Sequence, residues 1–240
     1  DIKEYRRKSK ERRIRIIEER RNSRFSQKMR PVYKMMNRIS LLLHMLGACI
    51  INFLIEAISR HSVIKAWDYM AESPKVFLYN SFMIFVTLSL VYLVKRRVFT
   101  RIIISVLWLV LGVANGYMLL KRVTPFNAQD LKAAKEGLSL FSNYFSGFES
   151  ILLLVGGVAV VLWITAMWRR GGQYMGKMRR VWGLAGVAAS CVLYVVVTNF
   201  AIEHRIVSTY FGNIAFAYED YGLPYCFSAS LFNTGISQPN

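Results

Sequence analysis

Apolar and polar residues fall along this chain in long blocks, without the strict alternation of a half-buried strand. Five apolar runs stand out: "ISLLLHMLGACIINFLI" at 39–55, "VFLYNSFMIFVTLSLVYLV" at 76–94, "IIISVLWLVLGVANGYMLL" at 102–120, "ILLLVGGVAVVLWITAMW" at 151–168 and "VWGLAGVAASCVLYVVVTNF" at 181–200. Each holds 17–20 residues. An α-helix rises about 1.5 Å per residue, so roughly 20 residues cross a hydrocarbon layer about 30 Å thick. The pattern predicts an all-α membrane protein with five transmembrane helices, the shorter runs borrowing a turn from their flanks. Buried core helices or strands are the competing explanation, which five runs inside 162 residues disfavour.

The polar blocks divide the chain further. Residues 1–38 form a basic tail, in which "KERRIRIIEERR" carries Ile14, Ile16 and Ile17. Two readings stay open for it, a helix lying on anionic lipid and a solvated, partly disordered tail. Residues 39–200 form the transmembrane domain, and 201–240 an interfacial segment that passes into a linker. Within 121–150, "QDLKAAKEGLSLF" places Leu131, Ala134, Leu138 and Phe141 at helical spacing, which predicts a short amphipathic helix on the membrane surface. Thr124 and Pro125 precede it, Asn127 is its candidate cap, and Asp130 suits its first turn. Phe126 is a candidate membrane anchor. The aromatic segments "NYFSGF" at 143–148 and "YGLPYCFSASLF" at 221–232 belong at interface depth.

Charge turns this layout into an orientation. The chain carries 32 Lys and Arg against 14 Asp and Glu, a formal net charge of +18. Segments 1–38, 95–101 and 169–180 hold +10, +4 and +5, whereas 56–75, 121–150 and 201–240 hold 0, +1 and −2. Cationic connections stay with the cytoplasm, so the N-terminus is expected inside and the C-terminus outside. Nucleic acid is not the expected partner of the basic tail; the anionic inner leaflet is. Cys49, Cys191 and Cys226 show no paired spacing, so neither a disulfide framework nor a zinc site is indicated.

Catalytic and metal motifs are missing from the sequence. It has no phosphate-binding glycine loop, no HExxH, no serine elbow and no carboxylate–histidine cluster with metal spacing. Gly112 and Gly116 have the small-xxx-small spacing that permits close helix packing. His44 is expected as a packed residue of the first run. Polar groups gather near the predicted outer ends of the runs: Asn52, Glu56, Asn115, Glu203 and His204, with Lys121, Arg122 and Arg205 able to meet a phosphate. They are candidate substrate-binding residues, against the plainer reading of ordinary interface polarity. Phe126, Gln129, Asp130, Leu131, Tyr225 and Phe227 are candidate contacts for a domain docked outside the membrane. Asp130 also admits the local reading, a helix first turn.

Two stretches are more specific than the runs themselves. "RVTPFNAQDL" after the third run and "LFNTGISQPN" after the fifth make residues 38–240 resemble the membrane half of a lipoteichoic acid synthase family protein. The long basic tail does not contribute to the likeness. The resemblance implies an envelope enzyme of a Gram-positive cell that transfers glycerol phosphate from phosphatidylglycerol to a lipid-anchored polymer. It also implies a sulfatase-like α/β catalytic domain beyond Asn240, with a threonine nucleophile and a divalent metal, commonly manganese. The motifs of that domain are not in this sequence, so no catalytic residue is assigned, and Thr124, Thr209 and Thr234 are not expected to be the nucleophile. Two other classes compete, a non-enzymatic membrane anchor or assembly protein and a transporter or channel subunit. The latter finds little polar lining beyond Thr87, Ser89 and Ser105.

Overall fold

The computed structural model describes residues 2–22, 27–28, 31–32, 35, 39–94, 96–131, 147–170, 180–209 and 214–232. It is helical throughout, and no strand occurs among the described residues. The helices are α1 (Ile2–Asn22), α2 (Ser40–Ser59), α3 (Val63–Glu72), α4 (Pro74–Leu88, continued by a 3-10 turn at Ser89–Leu93), α5 (Arg97–Lys121), α6 (Gly147–Arg170), α7 (Arg180–Glu203), α8 (Ile214–Tyr221) and α9 (Leu223–Phe232). Five of them are long and apolar enough to cross a membrane: α2, α4 with its 3-10 extension, α5, α6 and α7. All five runs read from the sequence are therefore helical, with up to five residues added at an end and only Ile39 and Val94 falling just outside. The amphipathic segment at 129–141 starts within a helical turn that begins at Ala128, but 132–146 lie outside the described residues, as do 233–240.

The chain forms two compact units, 1–44 and 45–240. In the first, α1 has Lys8 paired with Glu4 at 2.9 Å and Arg7 with Glu11 at 3.7 Å, and its Ile14 and Ile16 are exposed. Such exposed pairs contribute little, about 0.3–0.5 kcal/mol each.

In the second unit, α4 is central. Its buried residues include Tyr79, Met83, Ile84 and Leu88, and they join Ile55 of α2 and Trp108 of α5 in one core. Helices α2 and α5 meet through glycine: a Cβ on Gly112 would come 3.2 Å from Ile55 Cα, and one on Gly116 would come 2.8 Å from Ile58 O. The small-xxx-small pair thus lets two backbones approach where lipid supplies no hydrophobic drive for association. Ser59 Oγ donates to Gly112 O at 3.3 Å across the same contact. Asn52 ties α2 to α4 by donating to Phe77 O (3.1 Å) and Ser81 Oγ (3.2 Å). Tyr79 and Thr198 hydroxyls meet at 2.9 Å and fix α7 against α4. By contrast, the described residues of α6 are exposed over 151–163 and apolar all round, as suits a span covered by lipid.

Helices α2 and α7 end alike. His61 and Arg205 adopt left-handed φ values of 54° and 55°. After α2, Ser62 N donates to Ala57 O and His61 N to Ile58 O; after α7, Ile206 N donates to Ala201 O and Arg205 N to Ile202 O. This is the six-to-one and five-to-two pattern that satisfies terminal carbonyls, built here without the usual glycine. One substrate-binding candidate, Arg205, is thereby a helix-stop residue in the structure.

Candidate functional site: a polar lock on the C-terminal helix pair

A helix exposes four N–H groups at its start, and a buried start needs partners for them. Helix α9 begins in a buried setting, with Leu223, Pro224, Tyr225 and Cys226 all covered. Its partners come from the long apolar helices α2 and α4. Leu223 N donates to Glu56 Oε1 at 2.9 Å, and Tyr225 N donates to Asn80 Oδ1 at 2.8 Å. Pro224 has no N–H to satisfy. Cys226 N donates to Gly222 O at 3.3 Å. Two side chains from α2 and α4 therefore cap a helix more than a hundred residues downstream.

Each capping group is held in turn. Glu56 is fully buried, and Arg60, one turn later on the same face, donates from Nε to Glu56 Oε2 at 3.0 Å. A buried carboxylate is tolerated when paired and hydrogen-bonded in this way. Arg60 lies over the rings of Tyr69 (4.4 Å) and Tyr218 (5.3 Å) and donates to Glu219 O at 3.0 Å. Burial alone would lower the Arg60 pKa; the Glu56 carboxylate overrides it, so the net direction is up. Asn80 donates from Nδ2 to Tyr221 O (2.7 Å), Val76 O (3.0 Å) and Tyr69 OH (3.3 Å). Burial pushes the Tyr69 and Tyr218 phenols up, with the Glu56 carboxylate adding to it, so both stay protonated. The Tyr225 phenol is pushed up to about 12, again chiefly by burial, and donates to Ser208 O at 2.6 Å.

A second joint lies on α5. Asn115 is fully buried, and its Oδ1 accepts from Phe126 N at 2.7 Å. The following turn caps itself. Asn127 Oδ1 accepts from Gln129 N (2.8 Å) and Asp130 N (3.1 Å), while Asp130 Oδ2 accepts from Asn127 N (2.9 Å). This is a reciprocal capping box with Asn and Asp in place of Ser and Glu. Arg122 pairs with the same Asp130 carboxylate and donates to Thr124 O and Pro125 O. The turn then reaches α9: Ala128 N donates to Ser230 Oγ at 3.0 Å, and the rings of Phe126 and Phe227 stack at 5.9 Å.

The sequence candidates are thus distributed over several places. Glu56 is in the first joint. Asn115, Arg122, Phe126 and Asp130 are in the second, and Tyr225 and Phe227 are the α9 side of the two. Gln129 contributes its backbone to the turn, and Leu131 is exposed. Asn52 sits in the α2–α4 contact. Lys121 is exposed, its amine 5.5 Å from the Tyr117 ring. Glu203, His204 and Arg205 are exposed at the end of α7, where the His204 ring stacks on Phe200 at 3.9 Å. Thr87, Ser89 and Ser105 turn back on carbonyls of their own segments, Thr87 also accepting from Trp108 Nε1 at 2.9 Å. Among the described residues no group of three His, Cys, Asp or Glu stands close enough to hold a metal ion.

Sequence reading misses Arg60, Tyr69, Asn80, Tyr218, Gly222 and Ser230. Arg60 and Asn80 each carried a local signal. Arg60 follows Glu56 by four, the spacing of a helical ion pair. Asn80 is an amide five residues into an apolar run, where a polar side chain needs a buried partner.

Replacing Asn115 by Leu leaves the Phe126 N–H buried without an acceptor. The expected loss is about 1–3 kcal/mol, toward the lower end because the unpaired Asn115 Nδ2 disappears as well. Thermal unfolding in detergent would show it, with cleavage by protease rising near 122–131 while membrane insertion is unchanged.

No protein-family model, no curated protein and no solved structure matches the chain.

Proposed function

We propose that this chain is the membrane part of a lipoteichoic acid synthase-like phosphoglycerol transferase. In this reading it anchors and orients a sulfatase-like, metal-dependent domain, using manganese or a similar divalent cation, on the outer face of a Gram-positive cell membrane. The N-terminus and the cationic connections lie in the cytoplasm, and the C-terminal helices α8 and α9 lie outside at headgroup depth. The donor is phosphatidylglycerol and the acceptor a lipid-anchored polymer.

One observation carries the reading. The first stretch that resembles the family, "RVTPFNAQDL", is joined to the stretch of α9 just before the second, "LFNTGISQPN", by the Ala128–Ser230 hydrogen bond and the Phe126–Phe227 stack. A seat built from these two stretches explains why turn-rich polar sequence follows the third span. The charge asymmetry supports the orientation. Fixing a catalytic domain at the plane of its lipid donor makes the encounter effectively intramolecular, which is how a scaffold without catalytic groups raises rate. The turned-back hydroxyls of Thr87, Ser89 and Ser105 weigh against a transport path.

The test uses the full gene product in phosphatidylglycerol vesicles with manganese. Diacylglycerol release together with glycerol phosphate transfer is expected. Correctly inserted protein that forms no diacylglycerol would favour the non-enzymatic anchor. Cysteine labelling in intact cells checks orientation: a membrane-impermeant reagent should reach a cysteine at exposed Phe216 and not one at exposed Val98.

A further inference from the structure

The start of α5 concentrates positive charge. Arg97 and Arg101 are four residues apart and share one helix face, where like charges repel. Arg101 Nε is buried and meets no acceptor among the described residues. A guanidinium N–H left so is costly, and guanidinium seeks a planar oxyanion. The sequence places no carboxylate near this helix start along the chain: residues 73–129 and 150–202 contain no Asp or Glu, while 95–101 and 169–180 hold nine Lys and Arg. The backbone adds to the same demand, since Arg96 occupies the N-cap of α5 and offers no side-chain acceptor to its first N–H groups.

The surroundings are prearranged. The Arg96 guanidinium lies 4.0 Å from the Trp168 ring and donates to Trp168 O, and Phe99 meets the same ring edge-on at 4.8 Å. These contacts hold the end of α6 beside the start of α5. The Arg97 guanidinium stands 5.6 Å from the Tyr92 ring. Trp and Tyr suit the level where headgroups meet hydrocarbon. Alongside runs the apolar, exposed surface of α6.

We infer that the start of α5 binds the phosphodiester of an anionic phospholipid, with Arg97 and Arg101 as its cationic partners and the α5–α6 surface beside its acyl chains. The phosphate supplies an oxyanion that the neighbouring stretches of chain do not provide, and the apolar flank favours a lipid over free phosphate. The site is separate from the polar lock and needs only membrane insertion, so it stands whether or not the chain serves a phosphoglycerol transferase.

Native mass spectrometry of the full chain in mild detergent tests this, with phosphatidylglycerol, phosphatidylcholine and inorganic phosphate as probes. The wild type should retain one phosphatidylglycerol that phosphatidylcholine does not replace. R101Q should weaken that retention by roughly tenfold or more, the loss of one charge-assisted hydrogen bond. R101K, which keeps the charge without the fork, should fall between. R97Q carries the same test if R101Q does not insert. Equal retention of the two lipids, retention by both R101Q and R97Q at the wild-type level, or displacement of the lipid by an equal concentration of inorganic phosphate would each overturn the assignment.

Discussion

Gly222→Ala should cost about 3 kcal/mol and detach α9 while leaving the five long helices inserted, the sum of two penalties of about 1–2 and 1–3 kcal/mol. The first is conformational, since Gly222 sits at φ 76°, where an L side chain meets the following carbonyl. The second is steric. A Cβ there would lie 2.6 Å from Tyr69 OH, 3.1 Å from Glu56 Oε1 and 3.2 Å from Asn80 Nδ2. These are the groups that cap α9 or hold its caps, so they cannot withdraw without releasing Leu223 N or Tyr225 N. Limited proteolysis reads the outcome directly: cleavage within 214–232 should rise many-fold at a temperature where the wild type resists. An unchanged cleavage rate would show that the corner has freedom the close contacts deny. A d-alanine at the same position, introduced by peptide ligation, removes the first penalty and redirects the methyl, so it should recover most of the loss.

The apolar helices and the lock were unequally legible in the sequence, for a physical reason. A span is a local property. The 17 and 18 mostly apolar residues of "ISLLLHMLGACIINFLI" and "ILLLVGGVAVVLWITAMW" need no knowledge of any other segment to be recognised as long enough to cross a membrane. Gly112 and Gly116 were half legible: their spacing marks a close contact, but only the fold shows that Ile55 and Ile58 fill it. The lock is non-local. Glu56 reads as a polar residue near a helix end, and nothing within several residues of it says that its partner is the backbone N–H of Leu223. Asn80 is hidden similarly, because its carbonyl oxygen serves Tyr225 N and its amide serves Tyr221 O, both about 140 residues away. Backbone partners leave no mark in residue type. Near α9 itself, Gly222 and Pro224 were further clues: a glycine for the left-handed turn and a proline for the helix start, flanking Leu223, whose N–H is the one in need of an acceptor.

Glu56 tests whether that lock is a unit. Removing one partner of a buried ion pair is costly, about 3–5 kcal/mol, because the other charge stays behind unpaired. Glu56→Leu also strands the Leu223 N–H, so its loss should sit at the upper end of that range and expose 214–232 to protease as Gly222→Ala does. Glu56→Gln keeps an oxygen for Leu223 N while losing the charge facing Arg60, and should cost less. Arg60→Met leaves the Glu56 carboxylate fully buried with Leu223 N and Tyr218 OH as its donors among the described residues, the latter at 3.5 Å. The discriminating protein is the double variant, Glu56→Leu with Arg60→Met. If the pair acts as a unit, its loss should be smaller than the sum of the single losses by at least about 1 kcal/mol, since no charge remains to be stranded. Strict additivity in detergent unfolding would mean that Arg60 reaches water unaided once Glu56 is gone, which its 14% side-chain exposure makes difficult. In either case the single variants should insert normally, because hydrophobic length sets insertion and the carboxylate engages only after the helices have met.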